Sequence, residues 1–349
     1  MSDQNTKINF KKLDQSGRLE ALAALGQPSF REKQISEWIY RGAESFKDMT
    51  NIPGALREKL DEAYSLPSLC VRTVQQSSDG TRKYLLGLPD GNSVECVLMR
   101  YEYGNSLCIS TQVGCAMGCS FCASTLGGKL RDLEAWEMLD EYLVCGKDSG
   151  LRINHIVLMG IGEPFDNYDN LCEFLRRVHW PPGEGLSFRN ITVSTCGIVP
   201  KIRRFAEDFP QVNLAISLHA ADQAEREALM PVAKAYPLEE LLAACKEHTE
   251  KTGRRMSFEY TLISGKNDSP EDAKRLASLL RGMLCHVNLI RLNPVAETDY
   301  ESSDRSRALQ FRDYLESHGV PASIRRTLGQ DIDAACGQLR KKQGGARAK

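Results

Sequence analysis

Four cysteines lie within fifteen positions of this chain, in the stretch CISTQVGCAMGCSFCAS at residues 108–124. Cys115, Cys119 and Cys122 form a CxxxCxxC group, and Cys108 precedes them by seven residues. Structural zinc normally takes four protein ligands, whereas a 4Fe–4S cluster held by three cysteines keeps one iron open to a small molecule. The spacing therefore favours an iron–sulfur cluster, and a zinc site with Cys108 as the fourth ligand is the alternative.

The role of the remaining cysteines depends on whether the cellular compartment is oxidising or reducing. The N-terminus has no apolar signal segment, and no run approaches the length of a membrane span, so we expect a soluble, cytoplasmic protein. In that reducing compartment, twelve cysteines serve as metal ligands, redox groups or packing residues. Composition does not separate Cys336, in DIDAACGQL, from the cysteines with apolar neighbours, which we predict to be buried: Cys70, Cys145, Cys172, Cys245 and Cys285.

The net charge of −1 lacks the basic excess that many nucleic-acid-binding proteins carry. A local basic surface is compatible with a neutral total. The C-terminal segment RKKQGGARAK has five basic residues and no acidic one. It is either a solubilising terminus or a tail that contacts RNA.

Three kinds of pattern follow one another along the chain. Residues 15–66 have apolar residues at helical spacing, which predicts a compact helical module. Residues 71–111 have short β-rich runs separated by Asp79-Gly80 and Asp90-Gly91, which predicts a β-meander. Strand-like runs then alternate with amphipathic helical stretches. Counting the last run of the meander, there are six of them: SLCIST, HIVLMG, ITVST, NLAISLH, SFEYTLI and VNLIRL.

Such alternation with nearly all-apolar strands predicts a parallel sheet covered by helices, either open or curled into a barrel. Chemistry in these folds gathers at the carboxyl ends of the strands. The distinctive residues follow the runs in that way: the CxxxCxxC group, Gly162-Glu163, Ser194, His219 and Asn293. We therefore expect these side chains to meet at one edge of the sheet.

The CxxxCxxC group with Phe121 directly before its last cysteine resembles the signature of the radical S-adenosylmethionine superfamily. The resemblance implies an α/β fold, a partial (βα)6 barrel, in which a 4Fe–4S cluster binds and cleaves S-adenosylmethionine. It also implies that Glu163 accepts from the ammonium group of this cofactor. By the same resemblance, Ser194 and Asn293 bind its other polar groups, and Ser217 and His219 contact its ribose.

The chain also resembles a single family over residues 15–342, the dual-specificity 23S rRNA and tRNA adenine carbon-2 methyltransferases. The motifs that carry this resemblance are CISTQVGCAMGCSFCAS, MGIGEPFDNYDN, ITVST, AISLHA, HVNLIRLNP and IRRTLGQDIDAACGQL. It implies cluster ligands at Cys115, Cys119 and Cys122, a methyl-carrying cysteine at Cys336, a resolving cysteine at Cys108 and a general base at Glu95. The implied cofactor contacts are Gly162, Glu163, Ser194, Ser217, Leu218, His219 and Asn293.

The family chemistry explains the two additional thiols. Carbon 2 of adenine is electron-poor, so it does not attack a methyl sulfonium as a nitrogen would. Cys336 takes a methyl group from one S-adenosylmethionine, and a second one per turnover supplies the radical that activates this S-methyl group. Glu95 then removes the carbon-2 proton, and Cys108 releases the RNA by forming a disulfide with Cys336.

The family also implies 23S rRNA and tRNA as partners and an electron donor of the flavodoxin type. Nothing in the sequence argues for a stable dimer, so we expect a monomer. We predict four segments: an N-terminal helical RNA-contacting domain (1–68), a β-meander extension (69–105), the barrel with its C-terminal cysteine loop (106–340) and a basic tail (341–349).

Two further points concern single residues. Alternation in SVECVLMR places Glu95 on the same face as Val97 and Met99, and an apolar environment makes a carboxylate a stronger base. The alternative is an edge strand whose face is partly exposed to solvent.

Cys196 and Arg291 stand where relatives commonly have serine and proline. Cys196 either touches the cofactor pocket or fills space, and Arg291 forms an ion pair or reaches a substrate phosphate.

Two rival functions follow from the same residues. The carbon-8 adenine methyltransferase of the antibiotic-resistance type shares the two-cysteine mechanism, although QVGCAMGCSFCASTLGG and GRRMSFEYTLISG favour carbon 2. A non-catalytic, zinc-bearing RNA-binding protein is the rival from a different class.

Overall fold

A computed structural model describes residues 7–180, 185–293 and 295–339, so the basic tail lies outside the described residues. Within these ranges the strands are β1 (Ile8–Asn9), β2 (Tyr64–Ser65), β3 (Cys70–Gln76), β4 (Arg82–Gly87), β5 (Ser93–Tyr101), β6 (Gly104–Cys108), β7 (Gln112–Val113), β8 (Arg131–Asp132), β9 (Ile153–Leu158), β10 (Ile191–Thr195), β11 (Asn213–Ser217), β12 (Met256–Leu262), β13 (Cys285–Arg291) and β14 (Ala322–Ile324). The α-helices are α1 (Gln15–Ala24), α2 (Phe30–Tyr40), α3 (Gly54–Ala63), α4 (Ala135–Ser149), α5 (Tyr168–His179), α6 (Val199–Asp208), α7 (Gln223–Leu229), α8 (Leu238–Thr252), α9 (Pro270–Leu280) and α10 (Arg305–Ser317).

One sheet of ten strands organises the chain, in the order β14-β13-β12-β11-β10-β9-β6-β5-β4-β3. The six predicted strand runs are β6 and β9 to β13, and they pair in parallel with one another. The predicted meander is the antiparallel series β3 to β6. A seventh parallel strand, β14, was not predicted, because three residues are too few for a periodic pattern.

Helices cover the parallel part of the sheet because its strands are apolar on the face that they turn outward. Val193, Leu214 and Phe258, on three neighbouring strands, are completely or almost completely buried in the main hydrophobic core. Each parallel crossover contains at least one helix, as parallel pairing requires. The helix ends are locally encoded: Ser269 and Asp272 form a capping box that begins α9, and Gly253 ends α8 in the left-handed conformation.

The N-terminal helices α1 to α3 pack around a separate hydrophobic cluster that includes Phe10, Leu22 and Ile35. Buried polar contacts join this part to the barrel: Lys11 Nζ lies 2.9 Å from a carboxylate oxygen of Asp140 on α4. Because each buried ion would be costly without the other, this pair ties the two parts together. The domain boundaries given above remain a prediction.

Most of the cysteines expected to pack are buried, namely Cys145, Cys172, Cys245 and Cys285. The prediction for Cys70 was wrong, because it begins the edge strand β3, where side chains face solvent on both sides. Among the described helices, none combines the length and the apolar character that crossing a membrane requires.

Candidate active site at the carboxyl ends of the strands

A cavity of about 150 Å³ lies at the carboxyl ends of the parallel strands. Ten of the residues singled out from the sequence line it: Cys115, Cys119, Cys122, Gly162, Glu163, Ser194, Ser217, His219, Asn293 and Cys336. Three others do not line it. Leu218 points into the hydrophobic core, and Cys108 and Glu95 lie on neighbouring surfaces that are described below.

The three thiols of the CxxxCxxC group are largely buried side by side. Burial raises the pKa of Cys115 to about 11, and repulsion from Cys122 adds to this effect. Burial also raises the pKa of Cys119 and Cys122, and the other two thiols raise that of Cys119 further. Bound iron would relieve this penalty, since a coordinating thiol is deprotonated by the cation itself.

The thiols share a cavity without converging on one point. In the described ranges, no three Cys, His, Asp or Glu side chains are grouped closely enough to hold a single metal ion. In an iron–sulfur cluster the cysteines bind different iron atoms, so three thiols that line one cavity are the donors that such a cluster would need.

Glu163 brings a carboxylate to the cavity, and the backbone around it is built to hold it. Its Oε1 accepts a hydrogen bond from Phe165 N (2.9 Å) and its Oε2 accepts one from Cys196 N (2.7 Å). Burial raises the pKa of Glu163, while these two backbone donors oppose the increase. Each oxygen keeps a lone pair that can accept from a bound ammonium group.

The tautomer of His219 follows from its contacts. Its Nδ1 lies 3.0 Å from the backbone nitrogen of Thr261, which can only donate, so Nδ1 accepts and Nε2 carries the hydrogen. Burial, helped by the nearby Arg226, lowers the pKa of His219 to about 3, so the ring is neutral at physiological pH. The ring therefore presents a neutral N–H donor in the cavity, from a residue with φ of +57°.

We expect His219 to make the protein sensitive to acid. Its pKa is about 3 in the folded state and 6.5 in the reference state. The unfolded chain therefore binds the extra proton first as the pH falls through 6.5, and the free energy of unfolding falls by up to about 1.4 kcal/mol per pH unit. Urea denaturation of wild type and His219→Asn between pH 5 and 7 checks this. Equal pH slopes for the two proteins would contradict it.

The segment that carries Cys336 is held from both sides. Asn293 Nδ2 donates to the carbonyl oxygen of Cys336 (3.0 Å). The loop that bears the CxxxCxxC group donates to the residues that follow Cys336, from Ala123 N to Gly337 O (2.8 Å) and from Ser124 Oγ to Leu339 O (2.7 Å). The C-terminal segment is therefore bonded directly to the loop that bears the CxxxCxxC group.

The β-meander supports the same segment from its other side. Gly329 N donates to Asp79 Oδ2 (2.9 Å), and Asp331 accepts from Ser77 and Ser78. Lys83 Nζ donates to the carbonyl oxygen of Asp333 (3.1 Å). The antiparallel β-meander thus packs against the segment just before Cys336 and holds it by hydrogen bonds.

Cys108 lies at the end of β6, in a cluster with Val97, Met99 and Ala334. Burial raises the pKa of Cys108 to about 12, Cys336 raises it further and Arg325 lowers it. Ala334, two positions before Cys336, packs in the same cluster as Cys108. Cys108 thus packs with the segment that carries Cys336, without lining the cavity.

Glu95 lies on the same face of β5 as Val97 and Met99, as alternation predicted, and it is almost completely buried. The purely apolar setting was wrong, because Lys83 Nζ lies 3.9 Å from Glu95 Oε1. The sequence did not indicate this cation, since Lys83 is on the neighbouring strand and the pairing register decides which side chains meet.

Two charged residues in the cavity were not predicted. Arg325 follows β14 and lines the cavity together with Cys336, and the thiols of Cys336 and Cys108, with Glu259, raise the pKa of its guanidinium. Glu259 on β12 is buried, with Nη1 of Arg325 3.7 Å from its Oε2. Glu259 could have been noticed in the sequence as a charged residue within the apolar run SFEYTLI. Arg325 could have been noticed only by its position shortly before DIDAACGQL.

Both unusual residues are accounted for by their contacts. Cys196 lines the cavity, and its backbone nitrogen holds Glu163. Arg291 Nε donates to the backbone oxygen of Ser303 (3.0 Å), and among the described residues Arg291 has no ion pair. Its contact with a substrate phosphate stays a prediction.

Comparisons with known proteins relate this geometry to two families and several relatives. Residues 109–277 match the Radical SAM superfamily, and residues 8–66 match the Ribosomal RNA large subunit methyltransferase N-terminal domain. The chain is 52% identical over 319 residues to the probable dual-specificity RNA methyltransferase RlmN of Clostridium perfringens (strain 13 / Type A), covering 90% of this chain and 92% of the relative. It is 50% identical over 345 residues to the protein of the same description from Lachnoclostridium phytofermentans, covering 98% and 96%.

A solved structure is also similar over most of its length. The crystal structure of a radical SAM methyltransferase from Sphaerobacter thermophilus matches with a TM-score of 0.91 and 43% identity, covering 95% of this chain and 99% of that one. This similarity confirms the predicted fold class.

Proposed function

The chain belongs to the RlmN family of radical S-adenosylmethionine RNA methyltransferases, and from this membership we propose that it methylates carbon 2 of a specific adenosine in 23S rRNA and in tRNAs, next to the anticodon. The protein is an enzyme with RNA substrates, which excludes the non-catalytic zinc-bearing alternative. The observation that carries the proposed chemistry is that Cys336 shares one cavity with the CxxxCxxC group.

Cys115, Cys119 and Cys122 are the residues that would hold the 4Fe–4S cluster of the superfamily. When bound, the cluster supplies the electron that cleaves S-adenosylmethionine to a carbon radical. Glu163 binds the ammonium group of the cofactor, and Gly162 lets the backbone approach it. The neutral Nε2–H of His219 donates to a ribose oxygen, with Ser217 beside it.

Cys336 carries the methyl group. Its sulfur bonds to the methyl carbon of one S-adenosylmethionine while the bond from that carbon to the sulfonium sulfur breaks. Arg325 lines the same two cavities as this thiol. The S-methyl group of Cys336 would then give a hydrogen atom to the carbon radical formed from a second S-adenosylmethionine, and its methylene carbon would bond to carbon 2 of the adenine.

Glu95 and Cys108 complete the reaction. Glu95 removes the carbon-2 proton, and the Cys108 sulfur attacks that of Cys336, so that the sulfur–sulfur bond forms while the bond between the Cys336 sulfur and the transferred carbon breaks. The freed carbon takes a proton to become the methyl group of the RNA, the unpaired electron would pass back to the cluster, and the disulfide is left for an external reductant. Once Cys336 is a thioether it no longer repels the Cys108 thiolate, while the favourable effect of Arg325 remains. The proposal also includes an electron donor of the flavodoxin type, and an enzyme that acts as a monomer.

Mass spectrometry of the tryptic peptide that contains Cys336 tests the first step. Anaerobically purified enzyme should gain one methyl group on Cys336 that depends on S-adenosylmethionine, and no methyl group on Cys108. Digestion of the product RNA should yield 2-methyladenosine. Formation of 8-methyladenosine would favour the carbon-8 alternative, and absence of S-methylation would contradict the role of Cys336.

A further inference from the structure

The tip of the β5–β6 hairpin exposes an aromatic surface. Tyr101 pairs with Gly104, so Glu102 and Tyr103 form a two-residue connection. Tight hairpin connections favour Gly, Asn and Asp, and a tyrosine contributes nothing to such a turn. The Tyr103 side chain is nevertheless 68% exposed and lies face to face with the ring of Tyr101, with centroids 4.9 Å apart and an interplanar angle of 9°.

The surface is fixed in place by the neighbouring strand β9. The ring of His155 stands edge-on to Tyr103 at 5.4 Å. Asn105 N donates to Asn154 Oδ1 (3.0 Å), and Asn105 Nδ2 donates to the carbonyl oxygen of Arg152 (2.8 Å). A rigid aromatic ring loses little conformational entropy when a flat ligand stacks on it.

Tyr101 connects this surface to the reactive thiol. Its side chain lines a second, smaller cavity, which also contains Cys336, Asn293 and Arg325. Those three residues also line the cavity of the cluster-binding cysteines. Cys336 therefore lines both the proposed cofactor site and a smaller cavity on whose wall Tyr101 lies, and Tyr101 in turn stacks on Tyr103.

Positive charge accompanies the aromatic rings. Arg325 acts electrostatically on the hydroxyl groups of both tyrosines. Arg326 lines the second cavity and is exposed, and within the described ranges no hydrogen bond or ion pair engages its guanidinium. The only acid on the hairpin tip is the exposed Glu102. Aromatic rings beside an arginine that is free to bind a phosphate are the features by which proteins bind unstacked nucleotides.

We propose that the stacked Tyr101–Tyr103 pair binds a base of the substrate RNA that neighbours the target adenosine, while Arg326 binds the adjoining phosphate. This inference rests on the proposed function. The target base must leave its stack to bring carbon 2 to Cys336, and unstacking it exposes the face of a neighbouring base. The outer face of Tyr103 replaces that lost stacking partner.

The test uses anaerobically purified enzyme with its cluster and an unmodified tRNA transcript. Tyr103→Ala should weaken RNA binding about tenfold, as loss of one base–aromatic stack predicts. Tyr103→Phe and Tyr103→Trp should bind like wild type, and Tyr103→Leu should bind like Tyr103→Ala. Arg326→Ala should make the plot of log binding constant against log salt concentration less steep, by about the amount that one phosphate contact contributes. Fluorescence anisotropy of the labelled transcript measures both effects.

Tyr314→Ala is the matched control, because Tyr314 also stacks on an aromatic ring, that of His318, but lies on α10 and lines neither cavity. S-methylation of Cys336 needs no RNA and should be normal in every variant. Its loss in wild type would refute the proposed function instead. If S-methylation is intact and Tyr103→Ala binds RNA as tightly as wild type, the proposed role of the Tyr101–Tyr103 pair is wrong. It is also wrong if Tyr314→Ala weakens RNA binding as much as Tyr103→Ala does. Ultraviolet cross-linking of the RNA to the Tyr103 peptide would support it directly.

Discussion

Replacing Cys108 with alanine should trap the enzyme as a covalent adduct with its RNA. In the proposed mechanism, Cys336 is the only one of the two thiols that the carbon–carbon bond formation uses, whereas release needs a second sulfur to attack it. Cys108 packs in one cluster with Ala334, two positions before Cys336. Turnover should fall at least about a thousandfold, as for loss of an essential nucleophile. A denaturing gel with labelled RNA, followed by mass spectrometry of the Cys336 peptide, detects the adduct.

Cys96→Ala is the matched control for this experiment. Cys96 is a buried cysteine on β5, but it packs in the main core, on the opposite face of the sheet from Glu95 and Val97. It should show normal turnover and no adduct. Free methylated RNA at the wild-type rate from Cys108→Ala would remove Cys108 from the mechanism, and an adduct in Cys96→Ala would show that the trapping is not specific.

Gly162→Ala should weaken binding of S-adenosylmethionine by at least about tenfold, or 1.4 kcal/mol. Gly162 has φ of +106°, which other residues rarely adopt, and an added Cβ would lie 2.6 Å from the Cβ of Gln112. Gln112 Oε1 in turn accepts from Glu163 N (2.9 Å). The substitution therefore displaces the carboxylate that is proposed to hold the cofactor. Equilibrium binding to the cluster-loaded enzyme, with iron content measured in parallel, provides the test.

Gly253→Ala separates the steric effect from backbone strain. Gly253 also has a positive φ, +64°, but an added Cβ would meet no atom within 4 Å. This variant should lose about 1 kcal/mol of stability and keep its cofactor affinity. If both variants bound S-adenosylmethionine equally well, the close packing of Gly162 on Gln112 would not be needed to position Glu163.

Much of the fold follows from patterns that are local in the sequence. The strands β6 and β9 to β13 were identified because buried parallel strands are nearly continuous apolar runs. The residues after these runs could be assigned to one site, because the carboxyl ends of parallel strands share an edge. The short strand β14 was missed, since three residues carry no period.

The least predictable features depend on pairs of residues that are distant in the chain. The bond from Ser124 to Leu339 joins residues 215 positions apart, and nothing in their local sequence indicates that they meet. The family resemblance implied a role for Cys336, but composition did not distinguish it from the packing cysteines. Lys83 beside Glu95 depends likewise on the register of two strands.

The sequence alone determined the types of donor available: three closely spaced thiols, a carboxylate after a glycine and polar side chains at strand ends, all encoded within a few residues. Only the tertiary structure decided that Arg325 lines one cavity with Cys336, that Leu218 turns into the core and that Tyr101 and Tyr103 form a stack beside the smaller cavity that Cys336 also lines. The physical reason is that short-range patterns specify each element by its own periodicity. Which side chains approach across elements is set by sheet register and loop closure, which depend on the whole packed chain.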